Sequence, residues 1–185
     1  MFASRVKMGL MLVPIGVLLA WLGGIPLLLT IIALMVLGSK ELFDMARNQQ
    51  LSPSLPLMAA AGVIFPLARY LLPIEQNHMF ASMFILLALL VHVLQANAQK
   101  QDQGFSLGVT LIGIFYLSWL GAYIVSLRLL PNGLWWILLS LVSISLGDAG
   151  AFFIGSRFGK HKLVPHISPH KSVEGYLGSV LFTFL

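Results

Sequence analysis

The sequence predicts an all-α fold, a polytopic helical bundle in a membrane, and three observations predict it. Hydrophobic residues make up 58% of the 185 residues and charged residues only 9%, against roughly 25% charged in an ordinary soluble domain. The mean hydropathy is +0.93. The few charges punctuate the chain at intervals that fit membrane-crossing helices. So few charges cannot supply the polar skin of a soluble globule, which excludes a soluble enzyme, a disordered tail and a nucleic-acid-binding module. The absence of Cys excludes disulfide frameworks, iron–sulfur clusters and zinc–thiolate sites.

A helix needs about 20 apolar residues to cross roughly 30 Å of hydrocarbon. Between Lys7 and Lys40 lie 32 uncharged residues, which as one helix would reach about 48 Å. The turn signal Gly23-Gly24-Ile25-Pro26 divides them into spans over 5–22 and 26–42. The bulky Ala20-Trp21-Leu22 end argues against a cleaved leader, which needs small residues at its cleavage site. The next uncharged runs hold 21, 24, 25 and 19 residues and predict spans over 55–72, 79–97, 105–127 and 132–156. Pro53, Pro73, Gly104 and Pro131-Asn132-Gly133 mark their ends. Only 11 uncharged residues follow Glu174, enough for about 16 Å. The reading is therefore six complete spans and a truncated seventh over 173–185, in a single membrane domain 1–185.

Orientation follows from Lys and Arg. With the N-terminus inside, the inner loops hold Arg5, Lys7, Lys40, Arg47, Lys100, Arg157, Lys160, Lys162 and Lys171, and the outer loops hold only Arg69 and Arg128. Residues 157–172 then form a cytoplasmic basic loop.

That loop is the candidate site. Residues 157–171 carry four of the 11 basic residues, three of the five His and no acid. Composition favours a plain anchor on anionic lipid heads. Two features point instead to chemistry. Pro165 and Ser168-Pro169 give the loop a shape that an anchor does not need. Asp148 lies inside the sixth span, where an ionised group usually faces a bundle interior and a cation. Mg²⁺ takes one or two carboxylates together with phosphate oxygens, so an Asp facing Lys, Arg and His suits a metal-bound polyphosphate.

Other polar sites read as structure. Gly147, Ala151 and Gly155 form a small-residue stripe suited to close helix packing. His92 reads as a helix-contact histidine. Glu41 and Asp44 read as surface partners of Lys40 and Arg47. His161, His166 and His170 are separated by Pro165 and Pro169 and share no helical face, which argues against zinc.

Residues 147–175 read GDAGAFFIGSRFGKHKLVPHISPHKSVEG. This stretch resembles the cytoplasmic-face motif of the phosphatidate cytidylyltransferases, the CDP-diacylglycerol synthases. The motif matches at Asp148, Ala151, Phe152, Gly155, Phe158, Gly159, Lys160, His161, Lys162 and Leu163. It continues at Ser168, Pro169, Lys171, Ser172, Glu174 and Gly175. Departures are Ala149 for Thr or Ser, Ser156 before Arg157, His170 for Lys, and Val173 for an aromatic residue. The family's downstream signature, with a His-Gly-Gly and paired Asp residues, lies beyond Leu185. The expectation is therefore a truncated chain, inactive by itself.

The resemblance implies nucleotidyl transfer in phospholipid biosynthesis at the inner cell membrane. Phosphatidate attacks CTP to give CDP-diacylglycerol and pyrophosphate, with Mg²⁺ as cofactor. It assigns catalysis to Asp148, Lys171 and Glu174, metal binding to Asp148, and phosphate binding to Arg157, Lys160, Lys162, Ser168 and Lys171. A homodimer is compatible with the sequence and not specified by it. The rival readings are a related CTP-dependent or polyprenol-linked lipid transferase, an inactive fragment, and, in a different class, a transporter or structural subunit. A transporter should carry midplane ionisable groups in several helices, and only His92 qualifies.

Overall fold

The computed structural model describes residues 14–73, 76–96, 103–166 and 168–184. Arg5, Lys7, Glu75, Lys100, Asp102 and the start of the first expected span lie outside them. The chain divides into two compact units, one ending at Gly133 and the other beginning at Leu134.

The first unit is helical. Helix α1 covers residues 14–22 and α2 covers Gly24–Asn48. The expected break between them occurs at the single residue Gly23, with φ 60°, followed by Gly24 at φ 50°. Only glycine adopts this left-handed conformation cheaply. Pro26 then sits in the first turn of α2, where its missing N–H costs nothing. Arg128 seals the same corner: its Nε donates to the Ala20 carbonyl at 2.8 Å and its NH2 to the Trp21 carbonyl at 3.3 Å. A cation on the last carbonyls of a helix also complements the helix dipole.

Helix α3 spans Leu55–Leu71, α4 spans Asn77–Ala96 and α5 spans Gln103–Ile112. The backbone then winds as a π-helix over Gly113–Leu120 and returns to α in α6, Tyr123–Leu129. Helix α3 is the hub, packing against α2, α4, the π segment and α6. Its Ala61 and Phe65 meet Phe84 and Ala88 of α4, Ile114 of the π segment and Ala122 in a fully buried cluster. The Phe65 and Phe84 rings lie 5.2 Å apart. Truncating either to Ala would cost about 3–5 kcal/mol through lost burial and the cavity left behind.

Several buried polar groups of this unit are paired within its own chain. His92 is buried, with Nδ1 2.9 Å from the Ala88 carbonyl and Nε2 3.3 Å from Thr110 Oγ1. The Thr110 hydroxyl also accepts from the Ser54 amide at 2.9 Å and donates to the Ser106 carbonyl at 3.0 Å. His92 is thus the helix-contact residue the sequence predicts. Arg69 is 4% exposed, lies 3.5 Å from the Tyr123 ring centroid and donates to Ser126 Oγ at 3.3 Å. Glu41 and Asp44 are exposed and, among the described residues, form no ion pair with Lys40 or Arg47. Arg47 lies over the Phe43 ring instead.

The second unit contains α7, which begins at Gly133 and runs to Phe158, and α8, Val173–Thr183. The fold is mostly helical, as expected, but between these two helices a short hairpin that the sequence reading did not foresee interrupts it. Residues Lys162–Val164 (β1) and Ser168–Ser172 (β2) pair as an antiparallel hairpin. Lys162 faces Ser172 and Val164 faces Ser168, with an irregular register between. The extra residues fall on β2 around Pro169, which has no N–H to give to the ladder. The basic stretch is therefore not a 157–172 loop throughout: Arg157 and Phe158 close α7, and most of the rest is strand.

Among the described residues, four helices are long and apolar enough to cross a membrane: Gly24–Asn48, His78–Gln95, the composite Gln103–Leu129 and Gly133–Phe158. The shorter apolar helix Leu55–Leu71, at 17 residues, reaches about 26 Å. Helix α8, at 11 residues, reaches only about 16 Å.

Candidate functional site

The antiparallel approach of α7 and α8 is built from small residues. A Cβ on Gly178 would lie 2.6 Å from Ile154 Cβ and 2.8 Å from the Gly150 carbonyl oxygen. Further along, Gly155 and Gly175 meet so closely that a Cβ on either would come within 3.3 Å of the other's Cα. The predicted small-residue stripe thus packs against α8, with Gly150 added to it. Ser172 starts α8 by accepting the Gly175 amide on Oγ at 3.2 Å, the role for which Ser is suited at a helix start.

This packing sets α7, the hairpin and α8 around a cavity of about 830 Å³. From α7 it is lined by Asp148, Ala151, Phe152, Gly155 and Ser156, the i, i+3, i+4, i+7, i+8 positions of one helical face. From α8 it is lined by Gly175, Tyr176 and Ser179, again one face. Between them stand Lys162 and Leu163 of β1, and His170, Lys171 and Ser172 of β2.

Of the residues singled out from sequence, Asp148, Lys162 and Lys171 are brought together. Arg157, Lys160, Ser168 and Glu174 do not line the cavity. Arg157 lies over the Phe158 ring at 5.9 Å. Ser168 opens β2 opposite Val164. Tyr176 and Ser179 were not predicted; their spacing from Ser172, i+4 and i+7, is the signal that would find them once α8 is started at Ser172. His170 enters the site as a departure from the motif rather than as an expected ligand.

Glu174 has a different environment. Its Oε2 accepts the Lys160 amide at 3.2 Å and the His161 amide at 3.2 Å, and its Oε1 lies 2.6 Å from His161 Nδ1. The hydrogen bond from the His161 side chain, followed by main-chain hydrogen bonds, lowers its pKa from 4.5 to about 2.

The donor set can be tested for a divalent metal. Among the described residues no three His, Asp or Glu side chains converge as a metal site. Asp148 is the one carboxylate lining the cavity; it is exposed and has no hydrogen-bond partner among the described residues. One free carboxylate in a cavity that two lysines also line fits Mg²⁺ that draws its other ligands from phosphate oxygens and water. It does not fit an all-protein metal cage.

The family model described as "Cytidylyltransferase family" matches residues 3–185. The chain is 30% identical over 98% of its length to the phosphatidate cytidylyltransferase of Bacillus subtilis, of which it covers 68%. It is 32% identical over 88% of its length to the phosphatidate cytidylyltransferase of Staphylococcus epidermidis, of which it covers 62%. The chain thus spans about two thirds of the length of these relatives. No solved structure gives a significant match.

Proposed function

This chain belongs to the cytidylyltransferase family, and from that membership we propose that it makes CDP-diacylglycerol and pyrophosphate from CTP and phosphatidate. The observation that carries the reading is the single cavity that joins Asp148 to Lys162 and Lys171. A phosphate oxygen of phosphatidate attacks the α-phosphorus of CTP, the bond to the β-phosphate oxygen breaks, and pyrophosphate leaves. Such a transfer needs positioning and charge neutralisation more than covalent help. Lys162 and Lys171 hold phosphate oxygens through charged hydrogen bonds; Arg157 and Lys160, outside the cavity lining, add positive charge for the incoming substrates, and the Ser168 hydroxyl offers a neutral donor. Asp148 is the chain's ligand to Mg²⁺, which when bound neutralises phosphate oxygens. The exposed Phe152 and Tyr176 give the cavity an apolar side beside its polar one, as a lipid substrate requires.

The chain is a multi-pass membrane protein. We take it to cross the membrane six times, over 5–22, 26–42, 55–72, 79–97, 105–127 and 132–156, with its N-terminus and the hairpin on the cytoplasmic side. The nine-to-two basic count supports this orientation, and cytosolic CTP needs it.

The test is Mg²⁺-dependent conversion of labelled CTP and phosphatidate in membranes containing the full-length enzyme. Asp148→Asn should abolish product while expression and insertion persist, because the amide is nearly isosteric but a poor Mg²⁺ ligand. Lys162→Ala and Lys171→Ala should each raise a substrate KM, costing roughly 1.5–3 kcal/mol. Full activity in all three variants would remove the cavity from the reaction.

A further inference from the structure

Between the end of α7 at Phe158 and the start of β1 at Lys162, the chain turns through Gly159, Lys160 and His161. This neck is closed on its far side by the Lys162–Ser172 pairing and by the Val173 amide, which donates to the His161 carbonyl at 2.9 Å. The amides of Lys160 and His161 have no place in helix or ladder. Both are taken by one carboxylate, that of Glu174 in the first turn of α8. The same carboxylate also holds the His161 ring. Its oxygens are thus committed to the neck, and the side chain does not line the cavity that Asp148 lines.

We infer that Glu174 is a positioning residue: its carboxylate clasps the Lys160–His161 main chain to the start of α8 and so fixes the strands that present Lys162 and Lys171 to the cavity. Glu174 therefore neither binds the metal nor moves a proton. The depressed pKa of this carboxyl accords with an anion permanently held by N–H donors. An unclasped neck leaves the two ammonium groups attached but out of register, which weakens substrate phosphate binding and leaves the chemical step intact.

The clasp itself is tested by amide hydrogen exchange on the purified protein in detergent. Exchange at Lys160 and His161 should quicken by about tenfold or more in Glu174→Ala, the loss of hydrogen bonds to a charged acceptor. Glu174→Gln keeps one acceptor oxygen and should fall between the two. Unchanged exchange in the Ala variant would overturn the clasp whatever the kinetics show. The kinetic arm rests on the cytidylyl-transfer reading and uses the full-length enzyme. Glu174→Ala should raise the KM for CTP or phosphatidate by about tenfold with kcat within about threefold. Glu174→Gln should raise it less, and the Mg²⁺ half-saturation should not move in either. If Glu174→Gln abolishes turnover as Glu174→Ala would for a catalytic group, or shifts Mg²⁺ half-saturation, the positioning role fails. If the unaltered enzyme makes no CDP-diacylglycerol, the functional reading fails while the exchange result still decides the clasp.

Discussion

Asp148 and Glu174 flank the basic stretch in sequence, yet their carboxylates end in different surroundings: one is free at the cavity wall and the other is bound by two amides and an imidazole. The family resemblance implies a catalytic role for both. Only the path of the neck separates their jobs, because Glu174 meets Lys160 through main-chain amides that no residue pattern encodes. A pH consequence follows. A carboxyl whose folded pKa lies below its ordinary 4.5, at about 2, contributes stability that is complete above about pH 4.5. That contribution disappears as the pH falls through about 2. In ¹³C-glutamate-labelled protein the Glu174 carboxyl resonance should titrate with a midpoint near 2, and His161→Ala, which removes the largest cause, should move that midpoint up toward 4.5. A midpoint already at 4.5 in the unaltered protein would mean that the clasp is open in solution.

Among elements, the long helices were legible and the hairpin was not. The predicted 132–156 span and the observed Gly133–Phe158 helix nearly coincide, since Pro131-Asn132-Gly133 is a strong turn signal with Asn132 at φ 59°. Helix α2 runs six residues past the predicted end at 42, to Asn48. Charges such as Lys40, Glu41 and Asp44 end a membrane span without ending a helix. The hairpin escaped because its strands hold three and five residues, carry a proline and pair irregularly, so no two-residue alternation was there to read. The small-residue stripe of α7 was legible, and its partner on α8 makes the prediction at this scale. Gly178→Val should cost at least about 2–3 kcal/mol by forcing α7 and α8 apart, read as a fall in Tm in detergent. Gly108→Ala, where an added Cβ meets nothing within 4 Å, should leave Tm unchanged or raise it. Equal effects at the two positions would mean that the α7–α8 contact contributes nothing.

At the scale of the whole molecule, the arrangement in the membrane rests on charge asymmetry, and the two arginines assigned outside are not free surface charges. Arg69 is stacked on Tyr123 and Arg128 caps α1. Their structural duties leave undiluted the basic bias of the side proposed to be cytoplasmic. A Cys placed at the exposed hairpin residue His166 in this Cys-free chain should react with an impermeant maleimide only after the membrane is opened. Labelling in intact cells would reverse the topology. The π-wound stretch Gly113–Leu120 bears on how such a bundle tolerates genetic change. A helix that gains one residue must either swing everything downstream by about 100° or take up the excess as wider winding. Here the excess is taken up in the π winding, and the Ser118 hydroxyl donates to the Gly113 carbonyl five residues back. A codon lost within this stretch tightens the winding and keeps Tyr123 and Ser126 in phase with Arg69. The same codon lost between Ser126 and Leu129 has no slack to consume and turns the end of the span, with Arg128, away from the carbonyls of α1.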